Sequence, residues 1–160
     1  MRFVVIGGFA SRLWGSPTLT NDLGICYARD EAFLGRLADA LKELNAALRG
    51  APDGVPFVLD ARTLRAGDHF TFATLAGNLD VLGSPSGVGT FEALLRAATE
   101  MEIARGLTVP VASLYDLIKM KRAAGRPKDL IEIEVLSALQ DEIEKVDGSP
   151  DAVGPTLSAK

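Results

Sequence analysis

The chain has 160 residues, of which 48% are hydrophobic and 24% are charged, and its formal net charge is −4 at pH 7. These values describe an ordered globular protein of about one domain and exclude an intrinsically disordered chain. The single cysteine and the single histidine exclude a disulfide scaffold and a histidine-rich metal cluster. Because the net charge is negative, any contact with nucleic acid must use a local basic patch.

The N-terminal third of the chain predicts strands alternating with helices. The apolar run Phe3–Ile6, stopped by two glycines, predicts a buried strand, and a short helix is expected over 9–14. The segment Asp22–Tyr27 predicts a second strand. Leucines at helical spacing then predict a long helix, which Asp30 caps and which runs to residues 49–50.

The middle of the chain predicts short strands. One is expected over 55–59, and the alternating aromatic residues of 69–75 predict a half-buried strand. A glycine-asparagine pair at 77–78 predicts a hairpin turn into a strand over 79–82. The segment 109–111 contains a proline, which favours an edge strand.

Helices are expected in the C-terminal part. Thr90 caps a helix over 91–98, Ser113 caps a helix over 114–125, and residues 126–129 begin a final helix. This order of elements predicts an α/β (α+β) domain with a mixed β-sheet flanked by helices and a helical C-terminal part. Because strands and helices do not alternate regularly, a doubly wound sheet is disfavoured.

The organisation of the chain is expected to be simple. Residues 1–147 should form a single domain, and the proline-, glycine- and serine-rich residues 148–160 should form a disordered tail. No apolar run reaches the roughly 18–20 residues of a membrane span, and the N-terminus lacks the apolar region of a signal peptide. We therefore expect a cytoplasmic protein with no membrane partner.

Two short motifs near the N-terminus suggest chemistry. Gly7 and Gly8 follow a buried strand, which suits either a tight turn or a backbone that closely approaches a phosphate. The third glycine of a dinucleotide fingerprint is missing, so a Rossmann-type oxidoreductase is the least favoured hypothesis. Asp22 begins the second strand, and an acid two residues later would face the same way and complete a magnesium site. The chain has Gly24 there, so Asp22 also fits a solvated strand end.

Acidic and basic residues further along the chain also have two interpretations. Asp80 lies between apolar residues, so it must be paired, bind a metal or face water at a strand end. Lys119, Lys121 and Arg126 belong to a basic stretch that either complements a helix dipole or binds phosphates. Asp129 follows them in the first turn of the final helix, where an acid needs no further explanation.

Taken in order, these motifs resemble the nucleotidyltransferase superfamily, and most closely the minimal nucleotidyltransferases related to the AbiEii abortive-infection toxins and the MenT-type toxins. The resemblance spans residues 3–139. It rests on the apolar strand with its two glycines, on the segment 20–25 and on the segment 111–130. The family pattern is an apolar strand, Gly-Gly or Gly-Ser, a spacer and Asp-x-Asp, followed by a helix lysine before an Arg-x-x-Asp helix start.

The resemblance implies a nucleotidyltransferase-like fold and magnesium-dependent transfer of a nucleotide from an NTP to a hydroxyl acceptor. In the toxin branch the acceptor would be an RNA, the 3′ end of a tRNA, and a cognate antitoxin would be a protein partner. Asp22 and Asp80 would hold magnesium, and Asp80 would also assist the attacking hydroxyl. Lys119 or Lys121 would neutralise phosphate charge, and Asp129 would orient that lysine or bind the base edge. The residues implied to bind the nucleotide are Gly7, Gly8, Ser16, Thr20 and Arg126.

Gly24 departs from this pattern, because the family has its second catalytic acid at that position. The loss of one carboxylate should lower the rate by about 10²–10⁴. Three explanations remain open: a natural pseudo-enzyme, a variant in which toxic activity is silenced, or an enzyme that uses one carboxylate.

The alternative function is a catalytically inactive interaction protein on the same fold, which binds a partner through its acidic final helix. The acids of that helix are Glu132, Glu134, Asp141, Glu142, Glu144 and Asp147.

Overall fold

Seven strands and six helices occur in residues 2–52 and 56–147, the part of the chain that a computed structural model describes. The strands are β1 (Phe3–Ile6), β2 (Asp22–Tyr27), β3 (Ala47–Leu48), β4 (His69–Thr74), β5 (Gly77–Leu82), β6 (Thr99–Ala104) and β7 (Leu107–Val111). The helices are α1 (Gly7–Leu13), α2 (Glu31–Glu43), α3 (Ala61–Ala66), α4 (Phe91–Ala97), α5 (Leu114–Ala124) and α6 (Pro127–Asp147). The tail expected over 148–160 lies outside the described residues, as does the start of the strand expected over 55–59.

All seven strands form one mixed sheet in the order β3-β4-β5-β2-β1-β7-β6. At its centre, β2 is antiparallel to β1 and parallel to β5. The register between β2 and β5 pairs Asp22 with Asn78 and Gly24 with Asp80. The predicted α/β (α+β) fold class with a mixed sheet is thus confirmed, and the two acids of interest come from neighbouring central strands.

The hydrophobic core lies between this sheet and the helices. The strand predicted at the N-terminus is confirmed, and Val4 and Val5 are at most 2% exposed. Leu34 of α2, Leu117 of α5 and Leu136 of α6 are each no more than 1% exposed. Burial of such side chains contributes about 1.5–3 kcal/mol each, so the helices are held on the sheet mainly by apolar contacts. Within the described residues, no helix is both long and apolar enough to cross a membrane.

The long helix predicted from Asp30 to residues 49–50 begins as expected but ends early. The Asp30 carboxylate accepts a hydrogen bond from the backbone of Phe33, which caps α2, yet the helix stops at Glu43. Asn45 adopts a left-handed conformation with φ of 49°. The backbone N–H groups of Asn45 and Ala46 then close the helix by donating to carbonyl groups of its last turn. Residues 47–48 instead form the edge strand β3.

Other differences from the predicted elements arise in the middle of the chain. The first helix starts at Gly7 rather than at residue 9, and α3 and β6 were not predicted. The hairpin between β4 and β5 turns at residues 75–76, because Gly77 and the residue after it already belong to β5. Residues 56–59 form no strand. The strand predicted over 109–111 is not at the sheet edge, because β6 pairs with its outer side and is itself the edge.

Candidate active site

A cavity of about 450 Å³ opens at the end of the sheet where β1 passes into α1. This volume falls within the range of small-molecule sites in proteins. Strands β1, β2 and β5 contribute to one wall, and the end of α5 and the start of α6 contribute to the other. Its polar and glycine lining residues are Gly7, Gly8, Thr18, Thr20, Asp22, Gly24, His69, Asp80, Ser86, Lys121, Arg126, Lys128 and Glu132.

The glycine pair helps to position the first carboxylate. A Cβ atom built on Gly8 would lie 2.8 Å from the Cβ atom of Thr20, so only glycine fits without a shift. Thr20 packs into that space, and its hydroxyl donates a hydrogen bond of 2.8 Å to Oδ1 of Asp22. Gly7 has a φ of +71°, a conformation that favours glycine and that turns the chain from β1 into α1. The local backbone and packing therefore require glycine at both positions, in addition to any contact of these residues with a ligand.

Asp22 and Asp80 converge on one cation, the guanidinium of Arg49. Its Nη2 atom lies 2.7 Å from Oδ1 of Asp80 and 3.9 Å from Oδ2 of Asp22. Burial raises the pKa of Asp80 above its usual value, against the lowering effect of Arg49, and the charge of Asp22 raises it further. The pair is therefore a partly buried, mutually repelling set of carboxylates that attracts positive charge.

A network of two acids and two cationic side chains adjoins the cavity where α5 ends and α6 begins. Asp129 is fully buried, and Arg126 donates to both of its carboxylate oxygens, at 2.7 and 3.2 Å. Asp129 also accepts from the backbone N–H of Arg126, which completes the N-terminal cap of α6. Lys121 Nζ lies 3.5 Å from Asp129 and 2.9 Å from Oε2 of Glu132. Burial opposes ionisation of Asp129, but the hydrogen bonds of Arg126 prevail, so its pKa lies below the usual value.

This network changes how several residues contribute. Lys121 is only 12% exposed and shares its charge with two carboxylates, whereas Arg126 is 57% exposed and borders the cavity. Glu132, assigned by sequence to an acidic outer face, is buried instead and lines the cavity. Its Oε1 atom has no hydrogen-bond partner. Arg126 is thus the more accessible of the two cations for an anionic ligand.

Three of the residues implied to act at the site are not among those that line the cavity. Lys119 Nζ lies 4.7 Å from the centre of the Tyr115 ring, in a cation–π contact. Ser16 is buried, and its hydroxyl bonds the hydroxyl of Thr18, which does line the cavity. Asp129 likewise acts on the cavity only through Arg126 and Lys121.

The carboxylate pair meets the requirements of a magnesium ion in part. Magnesium prefers oxygen ligands and is commonly held by one or two carboxylates together with water and substrate phosphates. Asp22 and Asp80 already share a cation, and Gly24 between them adds no ligand. Across residues 2–52 and 56–147, no group of three or more acidic, histidine or cysteine side chains could hold a metal. Asp22 and Asp80 would therefore supply two of the oxygen ligands of one magnesium ion, and the remaining ligands would have to come from water or substrate phosphates.

Sequence reasoning missed Arg49, because the long helix was expected to continue through it. The signal that could have located the helix end is Asn45. Asparagine ranks second only to glycine in its readiness to adopt the left-handed conformation at the end of a helix. His69 was assigned a structural role, but it borders the cavity. Nothing local in the sequence indicates that either side chain lies near Asp80.

The fold is similar to that of solved nucleotidyltransferases, although no family model and no curated protein matches the chain. The lincosamide antibiotic adenylyltransferase LnuA, solved with lincomycin bound, matches with a TM-score of 0.54 and 12% identity, over 86% of each chain. A Thermotoga maritima protein designated a candidate nucleotidyltransferase matches with a TM-score of 0.45 and 15% identity, over 90% of this chain and 83% of that chain. The match to LnuA shows that the chain has a nucleotidyltransferase-like fold, as the sequence motifs predicted.

Proposed function

We propose that the protein binds a nucleoside triphosphate with magnesium and transfers the nucleotide to a hydroxyl acceptor. The observation that supports this most directly is the convergence of Asp22 and Asp80 on one cation, in a cavity bordered by Gly7 and Gly8 and by Arg126. A site that binds both a divalent cation and a polyphosphate needs acids and bases around one space. This cavity contains both.

The proposed roles follow from position. The backbone of Gly7 and Gly8 and the hydroxyl of Thr20 border the space for the triphosphate, and Arg126 supplies an accessible positive charge. Magnesium, when bound to Asp22 and Asp80, would neutralise phosphate charge and orient the α-phosphate. The acceptor oxygen forms a bond to the α-phosphorus, the bond to the β-phosphate oxygen breaks, and pyrophosphate leaves.

Asp80 is the proposed acceptor of the hydroxyl proton. This role rests on its place at the cavity beside the proposed magnesium site; burial raises the pKa of Asp80 above its usual value only while no metal is bound, since a bound cation would lower it. Lys121 is a positioning residue in this proposal, because Glu132 and Asp129 already neutralise its charge. Ser16 and Asp129 support the site from outside the cavity through Thr18 and Arg126, whereas Lys119 contacts the Tyr115 ring and has no role in this proposal.

The acceptor is proposed to be the hydroxyl of an RNA 3′ end, in line with the resemblance to minimal toxin nucleotidyltransferases, with a cognate antitoxin as a protein partner. The neighbour LnuA is an adenylyltransferase of a small antibiotic, so a small hydroxyl compound is the second acceptor class to test. Because Gly24 removes one carboxylate, we expect weak transfer by the chain as it stands.

The first test combines calorimetry and a transfer assay. Each of the four NTPs is titrated into the protein with Mg²⁺, and α-labelled NTP is then incubated with tRNA or with lincomycin. We expect heat with at least one NTP and slow transfer of label, with a loss of about 10²-fold or more in Asp22→Asn. Asp39→Asn, an exposed acid paired with Lys42, is the matched control and should behave as the original protein.

The interaction-protein alternative predicts a different result. If no NTP gives heat with Mg²⁺, in the protein as it stands and in Gly24→Asp, the catalytic hypothesis fails. The fold would then serve a binding role, and the acids of α6 that remain exposed would be the first surface to examine. If an NTP gives heat but no label is transferred to either acceptor, the proposal of nucleotide binding stands and the two proposed acceptors are rejected.

A further inference from the structure

Arg49 occupies the position between the two carboxylates that a metal ion would need. Its Nη2 atom is within 4 Å of both Asp22 and Asp80, and its bond to Asp80 is a charge-assisted one of 2.7 Å. The side chain is 34% exposed, compared with 23% for Asp80. The guanidinium thus already neutralises part of the charge that would attract a divalent cation.

The backbone holds Arg49 in this place. Its N–H donates a bond of 2.8 Å to the carbonyl oxygen of Thr71 in β4, and Thr71 pairs in register with Asp80 of β5. The side chain of Arg49 therefore starts two strands away from Asp80 and crosses β4 to reach it. Because the carboxylates come from β2 and β5 and the cation from the end of β3, the arrangement depends on the sheet order.

Two of the cations that line the cavity have carboxylate partners of their own. Arg126 is bound through two bonds to Asp129, and Lys121 is bound to Glu132. Arg49 has only the two carboxylates of the candidate metal site as ionic partners among the described residues. A change in the charge on that pair therefore acts directly on Arg49.

We propose that Arg49 competes with the divalent ion for Asp22 and Asp80, so that metal binds only when the guanidinium is displaced. This inference rests on the proposed function, because it deepens the role of the same site. Once displaced, the guanidinium is a free planar donor next to the space for the triphosphate, which suits phosphate oxygens. Arg49 would in this way favour binding of metal together with a polyphosphate over binding of metal alone.

The test measures binding of Mn²⁺ alone. Binding is monitored as the decrease in the electron paramagnetic resonance signal of free Mn²⁺. We expect Arg49→Met and Arg49→Gln to bind Mn²⁺ about 10-fold more tightly than the original protein, because a charge-assisted bond no longer has to break. Arg49→Lys retains a competing charge and should stay close to the original affinity. Arg2→Met is the matched control, since it removes a different arginine–aspartate pair, of 2.8 Å, at the far end of β1.

The outcomes separate this inference from the proposed function. If neither neutral variant binds Mn²⁺ more tightly than the original protein and the Arg2→Met control, while NTP still gives heat, the inference fails alone. If Arg49→Lys gains as much affinity as Arg49→Met, the effect is not one of charge and the inference also fails. If no form binds Mn²⁺ and no NTP gives heat, both proposals fail. Circular dichroism spectra of each variant confirm that folded proteins are compared.

Discussion

Replacing Gly24 by aspartate tests whether the absence of a carboxylate at this position limits the proposed nucleotidyl transfer. Position 24 faces the same way as Asp22 along β2 and pairs in register with Asp80 of β5, so a new carboxylate would lie between two existing ones. It would give a divalent cation a third oxygen ligand at the wall of the cavity. We expect tighter Mn²⁺ binding and transfer faster by about 10²–10³-fold.

The substitution also has a structural cost that can be worked out from the geometry. A Cβ atom at position 24 would lie 3.1 Å from the carbonyl oxygen of Ile6, so β1 must shift by a few tenths of an ångström. Crowding of this kind and the repulsion between like charges on adjacent strands together cost about 1–2 kcal/mol in the free energy of unfolding. Arg49 offsets part of the repulsion, because it already contacts both natural carboxylates.

Two control variants separate these effects. Gly24→Ala carries the steric cost alone, and Gly24→Asn adds the size of aspartate without its charge. The assay compares thermal or urea unfolding, Mn²⁺ binding and transfer of labelled nucleotide for all three. The reasoning is refuted if Gly24→Asp folds yet binds Mn²⁺ and transfers nucleotide no better than Gly24→Asn, since position 24 would then not belong to the reacting centre.

Three further perturbations test the support of the site. Gly8→Ala should destabilise the protein by about 1–3 kcal/mol and weaken NTP binding, because the new methyl group displaces Thr20; calorimetry that shows unchanged NTP affinity would contradict this. Thr20→Val, which removes the bond to Asp22, should lower Mn²⁺ affinity about 3–10-fold at nearly constant stability. Asp129→Asn should lower the free energy of unfolding by about 2 kcal/mol at pH 7, because the charge-assisted bonds from Arg126 are weakened. Because the folded-state pKa of Asp129 is depressed, that difference should be present above about pH 4 and shrink as the pH falls below it; urea titrations at pH 3 and pH 7 that give equal differences would disprove this.

Elements marked by local signals could be predicted from the sequence. The bounds predicted for β1, an apolar run ended by glycine, and for β2 both agree with the structure. The hydroxyl caps Thr90 and Ser113 begin α4 and α5 as expected, and Gly125 ends α5 in a left-handed conformation. Each of these signals acts within a few residues, so a single sequence is enough to recognise it.

Edge strands could not be predicted in the same way. Strand β6 is mostly exposed and carries charged residues, and β3 has only two residues, so neither shows a period that distinguishes it from a loop. The position of Arg49 was not predicted, because α2 was expected to continue past Glu43 to residues 49–50. In such a longer helix the side chain of Arg49 would point elsewhere. Glu132 has a sequence context typical of an exposed helix, yet Lys121 draws it into the cavity wall.

By itself, the sequence determined the class of fold, the capped helices and the residue types that a polyphosphate site needs, because these depend on composition and on short-range geometry. Only the tertiary structure decided which charges meet. Asp80 and Arg49 are 31 residues apart along the chain, yet their side chains lie 2.7 Å apart, because the sheet order places only β4 between their strands and the Arg49 side chain reaches across it. The electrostatics of the cavity result from strand order and register, which no local segment of the chain specifies.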